Sequence, residues 1–345
     1  MGCRGAIGCH ECESSRQPNN DGLTLTVFHK KAACTPMTDA DLQHLAGLTP
    51  AQGDAWQRDG FLVLPGFKSA ADVAAVCARA RVLVDAFEPT TDSGVFSTRD
   101  RSNQCTRIRD AALLASAEQV HCFFEEEAFD AQGRLCVPKA QAINKIGHAL
   151  HDRDPVFDRF SHGPALHSLA TALGLAQPQV WQSQVIFKQP HIGGEVGWHQ
   201  DASFFKTEPH TVTTFWFALE DATLDNGCLW VQAGGHRGPL REQYLCEGEG
   251  EGVGDGVCES GHPDRHLRMQ ALDATPWPDT RTAQALPVAA GTLVVFHGLL
   301  PHCSAANRSP QSRLAYTLHV TDASASYSPL NWLQRSAGLP VRGLA

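Results

Sequence analysis

The second half of the chain is dense in short segments whose side chains alternate or run apolar, and this restricts the fold more than any other feature. Thr211 to Leu219 sets Thr213, Phe215, Phe217 and Leu219 on one face, with Val212, Thr214, Trp216 and Ala218 on the other, because successive strand side chains point to opposite sides. Val180 to Phe187 mixes alternation with a buried run, and Cys228 to Val231, Thr292 to Phe296 and Leu314 to Val320 continue the series. Strands at this density, separated by Gly- and Pro-marked turns, indicate a β-sandwich or barrel. No Gly-x-Gly-x-x-Gly turn opens a helix, which excludes a dinucleotide-binding fold.

Upstream the pattern is helical. Thr49-Pro50 reads as an N-cap followed by proline at the first helical position, and Gly60 stops that helix. Phe61 to Pro65 is a short buried strand. Ser69 to Asp72 starts a second helix, with Val73, Val76, Cys77, Ala80, Leu83, Val84 and Phe87 forming an apolar stripe of helical period. Residues 88–140 carry less pattern, and the run Glu125-Glu126-Glu127 reads as a solvated face or turn. His148 and His151 read as surface or capping residues, and Asp154-Pro155 as a break. Residues 1–48, rich in Ser, Asn, Gly and Cys, are expected to be a disordered N-terminal extension to a domain spanning 49–345. An insertion at about 245–286, Glu- and Gly-rich at its start, is expected to be irregular and to form a mobile flap at the site mouth.

The net charge of −9 argues against a sequence-independent grip on nucleic acid, which needs clustered Lys and Arg. No run approaches the roughly 18 apolar residues of a membrane span, and the N-terminus has no apolar signal core. The 12 cysteines are scattered, with no paired C-x-x-C frame for zinc. The expectation is a cytoplasmic, monomeric protein with reduced thiols, acting on a small molecule.

The candidate chemistry lies in His199-Gln200-Asp201. A histidine and an aspartate two apart on an extended segment share one side of it, close enough to bind one metal ion. His302 follows a strong apolar strand, and Arg313 opens the next one. Two histidines and one carboxylate on one face of a metal leave positions open, the arrangement of non-haem Fe(II) oxygenases. Arg313 is an always-charged fork able to hold the far carboxylate of a dicarboxylic 2-oxo acid. His191, His210, His236 and His297 compete for the third ligand position, but only His302 has this spacing to the arginine. A zinc hydrolase or a catalytically silent binding module could carry the same ligands without needing Arg313.

Several motifs show that the chain resembles the phytanoyl-CoA dioxygenase family. They are Asp59-Gly60-Phe61-Leu62-Val63-Leu64, Ile143 to Leu150, Ile186 to His191, His199 to Phe204, Glu220 to Leu224 and Asn226 to Trp230, with Ser328-Pro329 and Asn331 to Gln334 near the end. The resemblance implies a mainly β fold with flanking helices around a double-stranded β-helix (jelly-roll, cupin-like) core. It implies an enzyme using Fe(II), 2-oxoglutarate and O₂, which decarboxylates 2-oxoglutarate to succinate and CO₂ and hydroxylates an unidentified organic substrate. By that match His199, Asp201 and His302 are the catalytic metal ligands and Arg313 anchors 2-oxoglutarate. Lys145 and Trp216 fall where the family contacts the co-substrate, and Ser304 adds a hydrogen bond. Gln184 stands where close relatives carry an apolar Met in that pocket, which makes its contact polar here. The acidic insertion argues against a CoA ester, while Lys188, Lys206, Arg237 and Arg241 are candidates for a basic patch that would favour one.

Overall fold

The computed structural model describes residues 48–89, 95–96, 112–248 and 265–345. Helix α1 (Pro50–Asp59) opens on a reciprocal capping box between Thr49 and Gln52, pairing two of the N–H groups a helix start leaves free. It ends at Gly60, whose φ of 81° is left-handed and where a Cβ would collide with the His236 ring. Helix α2 (Ala70–Ala86) is capped by Ser69 and buries Val73, Val76, Cys77, Ala80 and Val84. Short helices α3 (Lys139–Ala142), α4 (Leu150–Arg153), α5 (Pro155–Ser161) and α6 (Pro164–Ala172) follow. Asp154-Pro155 starts α5, because the Asp154 carboxylate accepts from the Val156 and Phe157 amides.

Seventeen strands make up the rest among the described residues. They are β1 (Phe61–Leu64), β2 (Val95–Phe96), β3 (Val120–Glu125), β4 (Ile143–His148), β5 (Pro178–Lys188), β6 (Val196–His199), β7 (Thr207–Glu208), β8 (Thr213–Ala218) and β9 (Leu229–Val231). After these come β10 (Glu242–Gly248), β11 (Arg265–Ala271), β12 (Gln284–Leu286), β13 (Leu293–His297), β14 (His302–Ser304), β15 (Arg313–Asp322), β16 (Ser326–Tyr327) and β17 (Arg342–Gly343). The main sheet runs β1-β13-β8-β15-β5-β4-β3-β2, with β17 added at β5, and a four-stranded sheet runs β12-β9-β14-β6.

The alternation of β15 shows how the layers stack. Leu314, Tyr316, Leu318 and Val320 face outward into one core with α2, α5 and α6, where they meet Phe157, Leu166 and Val185. The opposite face carries Arg313, Ala315, Thr317 and His319. Ala315 packs there with Trp216 and Phe296 of the main sheet and with Leu229, Val231 and Leu286 of the small sheet. The two sheets therefore pack face to face as a double-stranded β-helix, with helices covering the outer face of the larger one. Each Phe, Leu or Val buried between these layers contributes about 1.5–3 kcal/mol, and the polar inner-face residues are held in place by that packing.

Four expectations change. The insertion is not irregular throughout, since β10 and β11 pair over seven registered residues as an antiparallel ribbon. Glu125 is buried and accepts a hydrogen bond from Asn144 Nδ2 at 2.8 Å, so the glutamate run is not wholly solvated. His148 and His151 are fully buried, not surface residues. Cys246 is disulfide-bonded, whereas Cys77, Cys122, Cys136, Cys228 and Cys303 are free thiols. The N-terminal extension and the Glu/Gly tract from 249 to 264 lie outside the described residues, although Leu48 packs against the core. Among the described residues no helix is long and apolar enough to cross a membrane.

Candidate metal centre

His199 ends β6, His302 begins β14, and the two residues pair directly across the small sheet, which brings the ring centroids to 4.1 Å. Asp201 follows in a 3-10 turn, Asp201–Ser203, so its carboxylate returns to the histidines. Asp201 Oδ1 lies 3.6 Å from His199 Nε2 and 3.7 Å from His302 Nε2. The three ligand atoms all fall within 4.8 Å of one another, room for a single ion between them.

The surroundings fix which atoms face that point. His199 Nδ1 lies 2.8 Å from Gly197 O and His302 Nδ1 3.0 Å from Leu300 O. A carbonyl only accepts, so both Nδ1 atoms carry the proton and both Nε2 atoms present a lone pair. The other oxygen of Asp201, Oδ2, accepts from Thr214 Oγ1 at 2.5 Å and lies 3.5 Å from His319 Nε2. Only Oδ1 is left toward the histidines. Burial alone would raise the Asp201 pKa, but the neighbouring His302, His319 and His199 overcome it and hold the carboxyl far below its usual range. Burial, followed by His199, pushes His302 down to about 4 against the pull of Asp201. Carboxylate and neutral imidazole are the protonation states that a divalent metal requires.

The first residue of β15, Arg313, is 2% exposed, and its Nε and Nη1 have no hydrogen-bond partner. Its guanidinium carbon sits 5.6 Å from the Trp216 ring centroid. Burial lowers its pKa to about 10, with Cys228 and Glu220 opposing, so it remains a cation at neutral pH. A buried cation with an open fork is strongly unfavourable unless an anion completes it, and a carboxylate matches the fork's geometry.

Cross-strand register gathers the other predicted residues. Gly147, Gln184, Thr317 and Trp216 form one row across β4, β5, β15 and β8. Lys145, Ile186, Ala315 and Ala218 form the next row. Lys145, Gln184, Trp216 and Arg313 thus share the inner face, and the Lys145 ammonium lies 5.0 Å from the Phe123 ring centroid. Ser304 is buried in β14, two residues beyond His302. His297 is outside the cluster: it packs on Trp56 and His236, and its Nδ1 accepts from the Leu299 amide.

Of the four basic-patch candidates, Lys206 is exposed and the other three are tied to backbone carbonyls. Lys188 is buried, with its ammonium on Gly194 O at 2.6 Å. Arg237 is committed to the Gln57 and Arg58 carbonyls, and Arg241 to Thr275 O with its guanidinium over Trp277. Thr214 and His319 were not singled out from the sequence. The available signal was alternation along the strand that starts at Arg313, which turns Thr317 and His319 inward with it.

Comparison with known proteins agrees with this geometry. The family model for phytanoyl-CoA dioxygenase (PhyH) matches residues 56–315. The Bos taurus protein named phytanoyl-CoA dioxygenase domain-containing protein 1 is 40% identical over 299 residues, 86% of this chain and 98% of the relative. Phytanoyl-CoA dioxygenase 1 of Oryza sativa subsp. japonica is 42% identical over 289 residues, covering 84% of this chain and 94% of its own. Among solved structures, the epimerase SnoN in complex with Fe3+, alpha ketoglutarate and nogalamycin RO has a TM-score of 0.53 at 19% identity, over 89% of this chain and 94% of that one. EctD from S. alaskensis with 2-oxoglutarate and 5-hydroxyectoine has a TM-score of 0.50 at 18% identity, over 91% and 85%. These structures share the fold. On the family match and the close relatives, the chain belongs to the phytanoyl-CoA dioxygenase (PhyH) family of non-haem iron- and 2-oxoglutarate-dependent dioxygenases.

Proposed function

We propose that this protein oxidatively decarboxylates 2-oxoglutarate to succinate and CO₂ and couples that reaction to hydroxylation of a small organic molecule. The observation that carries the reading is the pairing of a His-Asp-His cluster with a buried arginine on the opposing sheet whose Nε and Nη1 have no hydrogen-bond partner. His199, Asp201 and His302 would hold Fe(II), and Arg313 would take the distal carboxylate of 2-oxoglutarate. Bound iron and 2-oxoglutarate supply the oxygen activation that no side chain here can perform. The chain's own residues orient and exclude water. Thr214 and His319 keep Asp201 Oδ2 occupied, so Oδ1 is the oxygen offered to the metal. Lys145, Gln184, Trp216 and Ser304 line the co-substrate, enclosed between the two sheets. The net charge of −9 supports a small-molecule substrate over nucleic acid.

Succinate is expected from 2-oxoglutarate when Fe(II) and O₂ are both present, and none when Zn(II) replaces Fe(II). Succinate made equally well with zinc would overturn the reading. Thr214→Val keeps shape and removes the hydroxyl donor from Asp201. Loss of such an orienting partner typically weakens metal binding about 10–100-fold, and we expect that fall in Fe(II) affinity by equilibrium titration. Unchanged affinity would remove Thr214 from the metal site.

A further inference from the structure

Beyond the row of Gln184, Thr317 and Trp216, the inner face of the main sheet continues as Gln182, His319 and Thr214. His319 directs Nε2 to Asp201, while its Nδ1 is buried without a hydrogen-bond partner, as is Thr317 Oγ1. Gln182, beside His319 in that row, is 5% exposed. On the neighbouring strand His148 pairs with Ser183, but its ring lies against Phe123, the cross-strand partner of inward-facing Lys145; it is fully buried, and its Nε2 is unpartnered too.

The character of that nitrogen follows from its surroundings. His148 Nδ1 lies 2.8 Å from Ser116 Oγ, and Ser116 Oγ donates its one hydrogen to Leu113 O at 2.6 Å. His148 Nδ1 must therefore be the donor, and Nε2 a bare lone pair. The Phe123 and Trp332 rings flank it at 5.4 Å and 5.1 Å. Burial first, then the charges of Lys145, His121 and His319, keep the imidazole neutral. Buried polar groups are almost always paired, and a wall of unpaired ones disfavours a saturated chain, which has no donors to offer.

We propose that Gln182, His319, Thr317 and His148 form the site for the hydroxylated substrate, and that it takes a compact molecule bearing O–H or N–H donors rather than the acyl chain of a CoA ester. This rests on the dioxygenase reading above. The basic candidates lend weaker support, since Lys188 is buried on Gly194 O and Arg237 and Arg241 donate to backbone carbonyls, leaving less free charge for CoA phosphates.

The test is succinate release by the iron-loaded full chain, with and without two sets of probes. One set holds nucleosides, free amino acids and polyols, and the other phytanoyl-CoA, palmitoyl-CoA and the free acids. Expected is stimulation above the substrate-free rate by a member of the polar set and by none of the acyl set. For the stimulating compound, His148→Phe should raise KM about tenfold more than it raises KM for 2-oxoglutarate. Stimulation by an acyl compound, or by no polar compound, overturns the proposal. Failure of the dioxygenase reading is seen separately, as no 2-oxoglutarate binding to the iron-loaded protein without oxygen.

Discussion

Asp201→Ala is expected to reduce succinate formation to the assay background while leaving the protein folded. Asp201 is the one carboxylate in the His-Asp-His cluster, and its removal leaves two neutral imidazoles, too few ligands to hold Fe(II) firmly. The same substitution takes the acceptor away from Thr214 and His319. Stability should respond less than activity. Leaving the buried Thr214 hydroxyl and His319 without their shared acceptor costs about 1–3 kcal/mol, so the variant's metal-free melting temperature should fall moderately while the protein stays folded at the assay temperature. Unfolding of the variant at the assay temperature would point to a structural role instead. Retained 2-oxoglutarate turnover would remove Asp201 from the ligand set.

Arg313→Leu is expected to act on 2-oxoglutarate and not on the metal. Removing one partner of a buried, hydrogen-bonded charge pair costs about 2–5 kcal/mol, and each 1.4 kcal/mol is about tenfold. KM for 2-oxoglutarate should rise by roughly two to three orders of magnitude, with Fe(II) affinity unchanged within a few-fold. Arg313→Lys keeps the charge but loses the fork, so its KM should fall between the two. Steady-state kinetics across 2-oxoglutarate concentrations read both variants. A KM for Arg313→Leu within twofold of wild type would exclude Arg313 as the carboxylate seat.

The elements legible in the sequence were those with a local signature. Thr49, Pro50 and Gly60 bound α1 by capping chemistry that acts within one turn. His199 and Asp201 are two apart, and Arg313 opens a long apolar strand, so each could be placed by strand periodicity. His319 and Thr214 reach Asp201 only because β15 pairs with β8 at His319 and Thr214. That register is a long-range property no local pattern encodes. Glu125 looked like part of a solvated charge run, but it is buried because Asn144 on the adjacent strand satisfies it. His148 belongs to the same class, since Ser116 and two aromatic rings, all distant in sequence, make its burial tolerable. The β10–β11 ribbon was hidden because Gln243 to Cys246 are all buried, which erases alternation. Gln243 Nε2 donates to the Ala202 and Ser203 carbonyls, and Gln200 Nε2 to Pro239 O and Leu299 O. These contacts tie the ribbon to the turn that carries Asp201.

The most direct test of the central claim is an anaerobic titration of the apoprotein with Fe(II) and then 2-oxoglutarate, followed by visible absorption. A 2-oxo acid chelating Fe(II) gives a weak charge-transfer band, because metal electrons move into the ligand's 2-oxo group. The account predicts that band for the wild-type protein at one equivalent of iron. For Arg313→Leu it should appear only at much higher 2-oxoglutarate, and for Asp201→Ala not at all. No band in the wild type despite stoichiometric iron binding, or a band of equal strength and affinity in Asp201→Ala, would contradict it.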